Sequence, residues 1–288
     1  MDFNSKTIPS FGVAGNFTGH LEQAGEARDF TNIKTAEANA PKALFPTYLP
    51  LGKESSSLVT PDFLHVFSFS ADKIIFPKNE EKLQIEPECA ILCNVVWDND
   101  EIKTIVPETF AASNDCSIRK EGAKKISQKK NWGPCSKGLS DNCIAIPEPG
   151  FTKGGILDGY RIASFLVRGG EVFDYGEDSA VRDYSYIYEK LINWICEKLN
   201  NQADEGPAEN IHEYLLESGK PEQVMVSIGA TRYTDYGEHN FLQNGDRAVV
   251  VVYPEKKYDH NAVRTMVASK EYNDPEVSVL DQEIILPD

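Results

Sequence analysis

The run Leu83-Gln84-Ile85-Glu86-Pro87-Glu88-Cys89-Ala90-Ile91-Leu92-Cys93 is largely apolar, yet it carries two glutamates one residue apart. In an extended chain residues i and i+2 share a face, so Glu86 and Glu88 present their carboxylates side by side. Two anions in so apolar a strand repel each other and need a compensating cation. A hard divalent ion bound through oxygen meets that need. Mg²⁺ usually takes one or two carboxylates with waters and substrate oxygens, and Mn²⁺ or Ca²⁺ can use the same ligands. Pro87 has no amide donor, which predicts a sheet edge or a bulge. Taken alone, an E-x-E pair is ordinarily the solvated face of a strand, so the wider sequence has to supply the rest of a site.

It does so in order along the chain. Val13-Ala14-Gly15-Asn16-Phe17-Thr18-Gly19-His20, followed by Pro41-Lys42-Ala43-Leu44-Phe45, resembles the G-x-N-Y-x-x-H…P-x-x-x-F signature of the fumarylacetoacetate hydrolase family. Glu86-Pro87-Glu88 is similar to that family's E-x-E metal pair. Ala112-Ser113-Asn114-Asp115-Cys116-Ser117-Ile118-Arg119 resembles its A-N-D-x-S-A-R segment, and Lys137, 22 residues beyond Asp115, is similar in position to its active-site lysine. Val224 to Thr231 stands where the family has I-L-T-G-T-P, and Leu242-Gln243-Asn244-Gly245-Asp246 resembles its L-x-x-G-D. Each motif is short, and their shared order from about residue 11 to 253 carries the resemblance. Three departures stand out: Gln23 where H-x-x-E has its acid, Lys120 where A-R-D has its aspartate, and Ser227-Ile228-Gly229-Ala230-Thr231 in place of T-G-T-P.

The resemblance implies a strand-rich α+β fold, a mixed β-sandwich roll with one or two covering helices, and commonly a homodimer. It implies a divalent ion, Mg²⁺ first, on Glu86, Glu88 and Asp115. Two oxygens of a 2-oxo acid or 1,3-dicarbonyl substrate would chelate it and an enolate would be stabilised. Lys137 would add positive charge beside the oxyanion. His20 would be the general base, with Glu22, or else Glu26, orienting it in place of the missing acid. Arg119 would either hold a substrate carboxylate or form a structural salt bridge, and Thr231 and Arg232 would replace the T-G-T-P contact. The implied activity is hydrolysis of a carbon–carbon bond in an acylpyruvate-like compound. The alternatives are a 2-oxo acid decarboxylase, hydratase or tautomerase, and a binding protein that keeps the fold without turnover.

Composition narrows the partners. Forty-five acidic residues against 29 basic give a formal charge of −16, which argues against a phosphate backbone as partner and leaves a small anionic oxo acid. Lys124-Lys125 and Lys129-Lys130 form the one notable basic cluster, expected as a solvated loop or as a local attraction for an anion. No signal-like N-terminus and no run of about 18 apolar residues occurs, so a soluble, cytoplasmic protein is expected, without a membrane. The six cysteines lack a C-x-x-C pair and are expected as reduced thiols, Cys116 as packing rather than nucleophile.

Two regions are expected: residues 1–55 as a loop-rich N-terminal arm or small subdomain, and residues 56–288 as the catalytic β-roll. Strands are predicted near 64–69, 73–76, 89–97, 102–106, 142–146, 160–167, 171–173, 224–228 and 248–253, with turns at Trp97-Asp98-Asn99-Asp100 and Arg168-Gly169-Gly170. Arg119 to Trp132 is expected as a mobile lysine-rich loop, a possible lid. Apolar residues at three- and four-residue spacing predict a helix over 183–202, N-capped by Asp183, and a second over 208–217.

Overall fold

The computed structural model describes residues 6–30, 35, 37–52, 59–120 and 122–287. The first five residues of the expected arm and its boundary near 55 lie outside the described residues.

Among the described residues the strands form two mixed sheets and a two-stranded one, Leu83–Gln84 with Ser117–Ile118. The larger runs in the order Ala43–Tyr48, Ser10–Ala14, Gln223–Ala230, Pro87–Asp98, Glu101–Asn114, Lys137–Leu139, Phe69–Ser70, with Ile144–Ala145 added beside Glu101–Asn114. The smaller runs Glu171–Ala180, Tyr160–Arg168, Arg247–Pro254, Ser278–Ile285, Lys73–Ile75. Strands of the N-terminal fifty residues therefore belong to the larger sheet, where Ser10–Ala14 pairs in parallel with Gln223–Ala230.

Alternation of side chains explains the layering. From Arg247–Pro254, Val250 and Val252 join a core shared with Ile91 and Cys93 of the larger sheet, while Val249 and Val251 point the other way. That second face is closed by Val263 and Val267 of the helix His260–Ser269. A run of six hydrophobic residues, Ala248 to Tyr253, is thus buried on both faces. The helix Tyr188–Asn201 turns Leu191, Ile195 and Leu199 inward, all fully buried.

Turn chemistry follows the expected pattern. The Trp97–Asp100 hairpin turns at Asn99, φ 56°, a conformation asparagine tolerates better than most residues. Gly169 and Gly170, φ 60° and 87°, join Tyr160–Arg168 to Glu171–Ala180 as a hairpin whose twist requires positive φ at both positions.

Several expectations change. Residues 62–65 form a 3₁₀ turn rather than a strand. The long helix starts at Tyr188 instead of 183, because the preceding residues are drawn into the core: Tyr184 donates to the Gly229 carbonyl at 2.7 Å, and Asn16 Oδ1 accepts the Tyr186 amide at 2.8 Å. Asp183 ends a 3₁₀ turn and caps nothing. The second helix is shorter, Ile211–Glu217, capped by Asn210. The lysine-rich segment is packed into the protein, with Ile126, Ser127, Lys129, Lys130 and Asn131 all buried. All six cysteines are free.

Candidate active site

The site forms where the larger sheet loses regularity. Between Ser227, paired with Ala90, and Ala230, paired with Glu88, the register against Pro87–Asp98 shifts, placing a bulge opposite Cys89. Gly229 occupies the bulge at φ 119°, and a methyl group there would come within 2.9 Å of Asn16 Cβ. Its amide is freed from the ladder and donates to Glu88 Oε2 at 2.7 Å. Pro87 itself is the first residue of a central strand, neither at a sheet edge nor in a bulge as expected, and the irregularity lies on the partner strand, where it anchors one of the two glutamates.

Asn114 and Asp115 fix the other glutamate. Asn114 Oδ1 accepts the Glu86 amide at 3.1 Å, its Nδ2 donates to Gln282 at 3.0 Å, and the Asp115 amide donates to the Glu86 carbonyl at 3.0 Å. These locks bring Glu86, Glu88 and Asp115 together, with one ligand atom from each lying within 4.8 Å of the others. All three are buried. Both Asp115 carboxylate oxygens and Glu86 Oε1 lack a donor in hydrogen-bonding line despite nearby cations. Three buried carboxylates gathered this closely fit a hard divalent ion.

Three cations contact this group, and a fourth joins it through Glu26. Lys130 Nζ lies 2.6 Å from Glu86 Oε2 and 2.7 Å from Asp115 Oδ2. Lys137 Nζ lies 3.2 Å from Asp115 Oδ1 and also donates to the Cys116 carbonyl. Arg119 meets Glu86 Oε1 and Glu26, both at 2.7 Å, and Lys129 meets Glu26 at 2.9 Å. Burial raises the Glu86 carboxyl, but Lys130 and Arg119 outweigh it and hold the group well below the usual carboxylate range. Glu88 goes the opposite way: burial, then the charges of Asp115 and Glu86, push it well above. Burial lowers Lys137 even beside Asp115.

His20 faces the same small cavity as Glu86 and Glu88. Its Nδ1 lies 2.8 Å from the Thr231 carbonyl, which can only accept, so Nδ1 carries the proton. Burial lowers the imidazole below its ordinary value, favouring the neutral ring with its lone pair on Nε2. The cavity, closed by Ile126 and Lys130, holds about 10 Å³, space for roughly one water.

Not every expected residue reaches this cavity. Glu22 is exposed on the short helix His20–Gln23, and the buried acid nearby is Glu26. Arg119 is committed internally to Gln84, Glu26, Glu86 and Tyr233, the salt-bridge reading of its role. Thr231 contributes its carbonyl to His20. Arg232 is half exposed, paired loosely with Glu177 at 3.4 Å, and lies over Gly19. Cys116 is buried and its thiol is pushed up to about 12, so it stays protonated, as expected of a packing residue. Gln282, which receives Asn114 Nδ2, carries no signal in the sequence. The doubled lysines were visible, but their burial was not.

Solved structures share this architecture. The chain matches yeast ynq8, a fumarylacetoacetate hydrolase family protein, at TM-score 0.52 and 12% identity, over 98% of this chain and 94% of that one. It matches Cg1458 with inhibitor at TM-score 0.56 and 14% identity, over 97% and 77%. It also matches 2-keto-3-deoxy-D-arabinonate dehydratase complexed with magnesium and 2,5-dioxopentanoate at TM-score 0.51 and 13% identity, over 97% and 73%. No curated protein matches the chain. The fold is that of the fumarylacetoacetate hydrolase family, in a divergent form. The chain belongs to DUF5718, a family of unknown function whose sequence pattern matches residues 26–284.

Proposed function

We propose that this protein is a divalent-metal-dependent enzyme that hydrolyses a carbon–carbon bond in an acylpyruvate-like or other 1,3-dicarbonyl or 2-oxo acid substrate. The observation that carries this reading is one buried cavity lined by His20, Glu86 and Glu88, on a fold whose solved examples include a dehydratase holding magnesium and a dioxo acid.

Glu86, Glu88 and Asp115 would hold the ion. Mg²⁺, or Mn²⁺ or Ca²⁺ in its place, supplies positive charge and open positions for two substrate oxygens when bound. His20 Nε2 takes the proton of an attacking water, its ring held in the required tautomer by the Thr231 carbonyl. Lys137 fixes Asp115 and adds positive charge behind it. Arg119 positions Glu86 and leaves substrate to others. Arg232, beside the His20 helix, is the side chain proposed to meet a distal carboxylate as the site opens. The homodimer implied by the resemblance is part of this reading, and light scattering on the purified protein measures it. No described helix is long and apolar enough to cross a membrane.

A second reading keeps the ion and omits water attack: decarboxylation, dehydration or tautomerisation of a 2-oxo acid. It is favoured by His20 being oriented by a carbonyl instead of a carboxylate, which makes it a weaker base for activating water. Turnover of acylpyruvates and oxaloacetate should be assayed with Mg²⁺ or Mn²⁺, before and after chelation, with the products identified. Two acid fragments from an acylpyruvate are expected. Loss of CO₂ or water instead selects the second reading. No turnover, with a melting temperature unmoved by chelation, overturns both.

A further inference from the structure

The ammonium of Lys130 sits among the very atoms that a divalent ion would use. It takes Glu86 Oε2 at 2.6 Å and Asp115 Oδ2 at 2.7 Å. The remaining oxygens of those two residues face Arg119 at 2.7 Å and Lys137 at 3.2 Å, so every oxygen of Glu86 and Asp115 already meets a protein cation. Mg²⁺ bonds oxygen at about 2.1 Å and Ca²⁺ at about 2.3 to 2.6 Å, with close to fixed directions. An ion drawing on Glu86 Oε2 and Asp115 Oδ2 has to enter the space between them that Nζ fills. Two cations cannot share it, sterically or electrostatically.

The lysine is also seated deliberately by its surroundings. The 3₁₀ turn Ile126–Lys129 is docked through Ser127 Oγ to Glu209 at 2.6 Å and the Ile126 amide to the Pro207 carbonyl at 3.2 Å. Lys125 reaches Asp204 at 2.6 Å and the Ala208 carbonyl at 2.5 Å. These contacts deliver Lys130 inward, with its ammonium 5.1 Å from the centre of the Phe45 ring and its side chain only 3% exposed. The cavity beside it has room for about one water, so no substrate enters while this side chain stays in place.

We infer that Lys130 is a built-in cation that competes with the divalent ion for Glu86 and Asp115, so that metal entry and lysine departure are a single exchange. The inference rests on the metal reading proposed above. Expelling a buried, doubly paired ammonium opposes metal binding, so this chain holds the ion more weakly than the bare carboxylates would. The exchange also opens the cavity wall where the substrate must arrive.

Mn²⁺ binding to the purified full chain, read by electron paramagnetic resonance of the free ion, tests this directly. Lys130→Met is expected to bind Mn²⁺ at least tenfold more tightly than the unmodified protein, and adding Glu88→Gln is expected to reverse the gain. In the unmodified protein, saturating Mn²⁺ is expected to raise acylation of Lys130 by a water-soluble succinimidyl ester, located by peptide mass spectrometry. Equal affinity in the two proteins, with Lys130 labelling unchanged at saturation, overturns the exchange and leaves the metal site standing. Absence of binding in both at millimolar Mn²⁺ overturns the metal reading itself. If Lys130→Met does not fold, the labelling decides alone: unchanged labelling at saturation sinks the inference.

Discussion

Two clusters in this protein are built from the same side chains and behave in opposite ways. One is the buried set around Glu86, with His20, Glu26, Asp115 and Arg119. The other lies on the outer face of the smaller sheet, where Asp178 receives Arg161 at 2.8 Å, Tyr253 at 2.6 Å and His260 at 2.9 Å, and Asp174 receives Arg264 at 2.6 Å. Arg119 is 8% exposed and Arg161 30%. In the buried set, burial drives the imidazole down. In the outer set the hydrogen bond to Asp178 raises His260, with the nearby carboxylates outweighing burial. The contrast teaches that a histidine, two acids and an arginine do not make a site by their identity. Removal from water lets neighbouring charges set the protonation states that chemistry can use.

The largest expected effect tests that difference in burial. Arg119→Met leaves Glu26 and Glu86 short of a partner in the interior, and breaking a buried pair from one side costs about 3 to 5 kcal/mol. Arg161→Met removes a partly solvated partner from Asp178, where about 1 kcal/mol or less is expected. Urea unfolding of the two variants beside the parent measures both. Comparable losses would erase the distinction between the clusters.

A smaller effect probes the backbone. Gly229 stands at φ 119° in the bulge, whereas Arg161, Asp174, Asp178, Tyr253, His260 and Arg264 all have negative φ. Gly229→Ala places a methyl against Asn16 in a conformation that L residues rarely adopt, a strain of about 1 to 3 kcal/mol. It should also turn the amide away from Glu88, lowering Mn²⁺ affinity along with stability. Full stability together with full affinity would show that the bulge is incidental to the carboxylate group.

The sequence carried the frame of the buried cluster and missed its filling, for a physical reason. The two-residue period of an apolar strand pairs Glu86 with Glu88, the family resemblance alone adds Asp115, and the expected gathering of the three is what the structure shows. Lys130 lies in a segment rich in lysine, and local composition assigns such a stretch to solvent. Its burial depends on Glu86, 44 residues earlier, and on Asp115, which no periodicity connects to it. Glu26 was weighed below Glu22 because nothing local shows which face of so short a helix turns inward. The helix His260–Ser269 was missed although its signal was present: Asp259 caps it by accepting the Ala262 amide at 2.8 Å, and Val263 and Val267 follow at a four-residue interval. The start of the helix Tyr188–Asn201 was misplaced because the pull of Tyr184 and Asn16 is tertiary and leaves no local trace.

The smallest expected effect is a difference of sign between the two imidazoles. An unfolded histidine takes up its proton near pH 6.5. As pH falls through that value the unfolded chain binds a proton at residue 20 that the folded protein still refuses, so His20 subtracts stability in acid, increasingly down to its lowered folded pKa. At residue 260 the folded protein binds the proton more tightly than the unfolded chain. The contribution of His260 is therefore complete below about pH 6.5 and is lost as pH rises through its raised folded value. Thermal unfolding from pH 5 to 8 separates the two with single substitutions. His20→Asn should gain on the parent as the solution is acidified, and His260→Asn should fall behind it. If both variants drift in the same direction, the histidines share one kind of environment, and the distinction between buried chemistry and surface pairing fails at the group proposed to act as base.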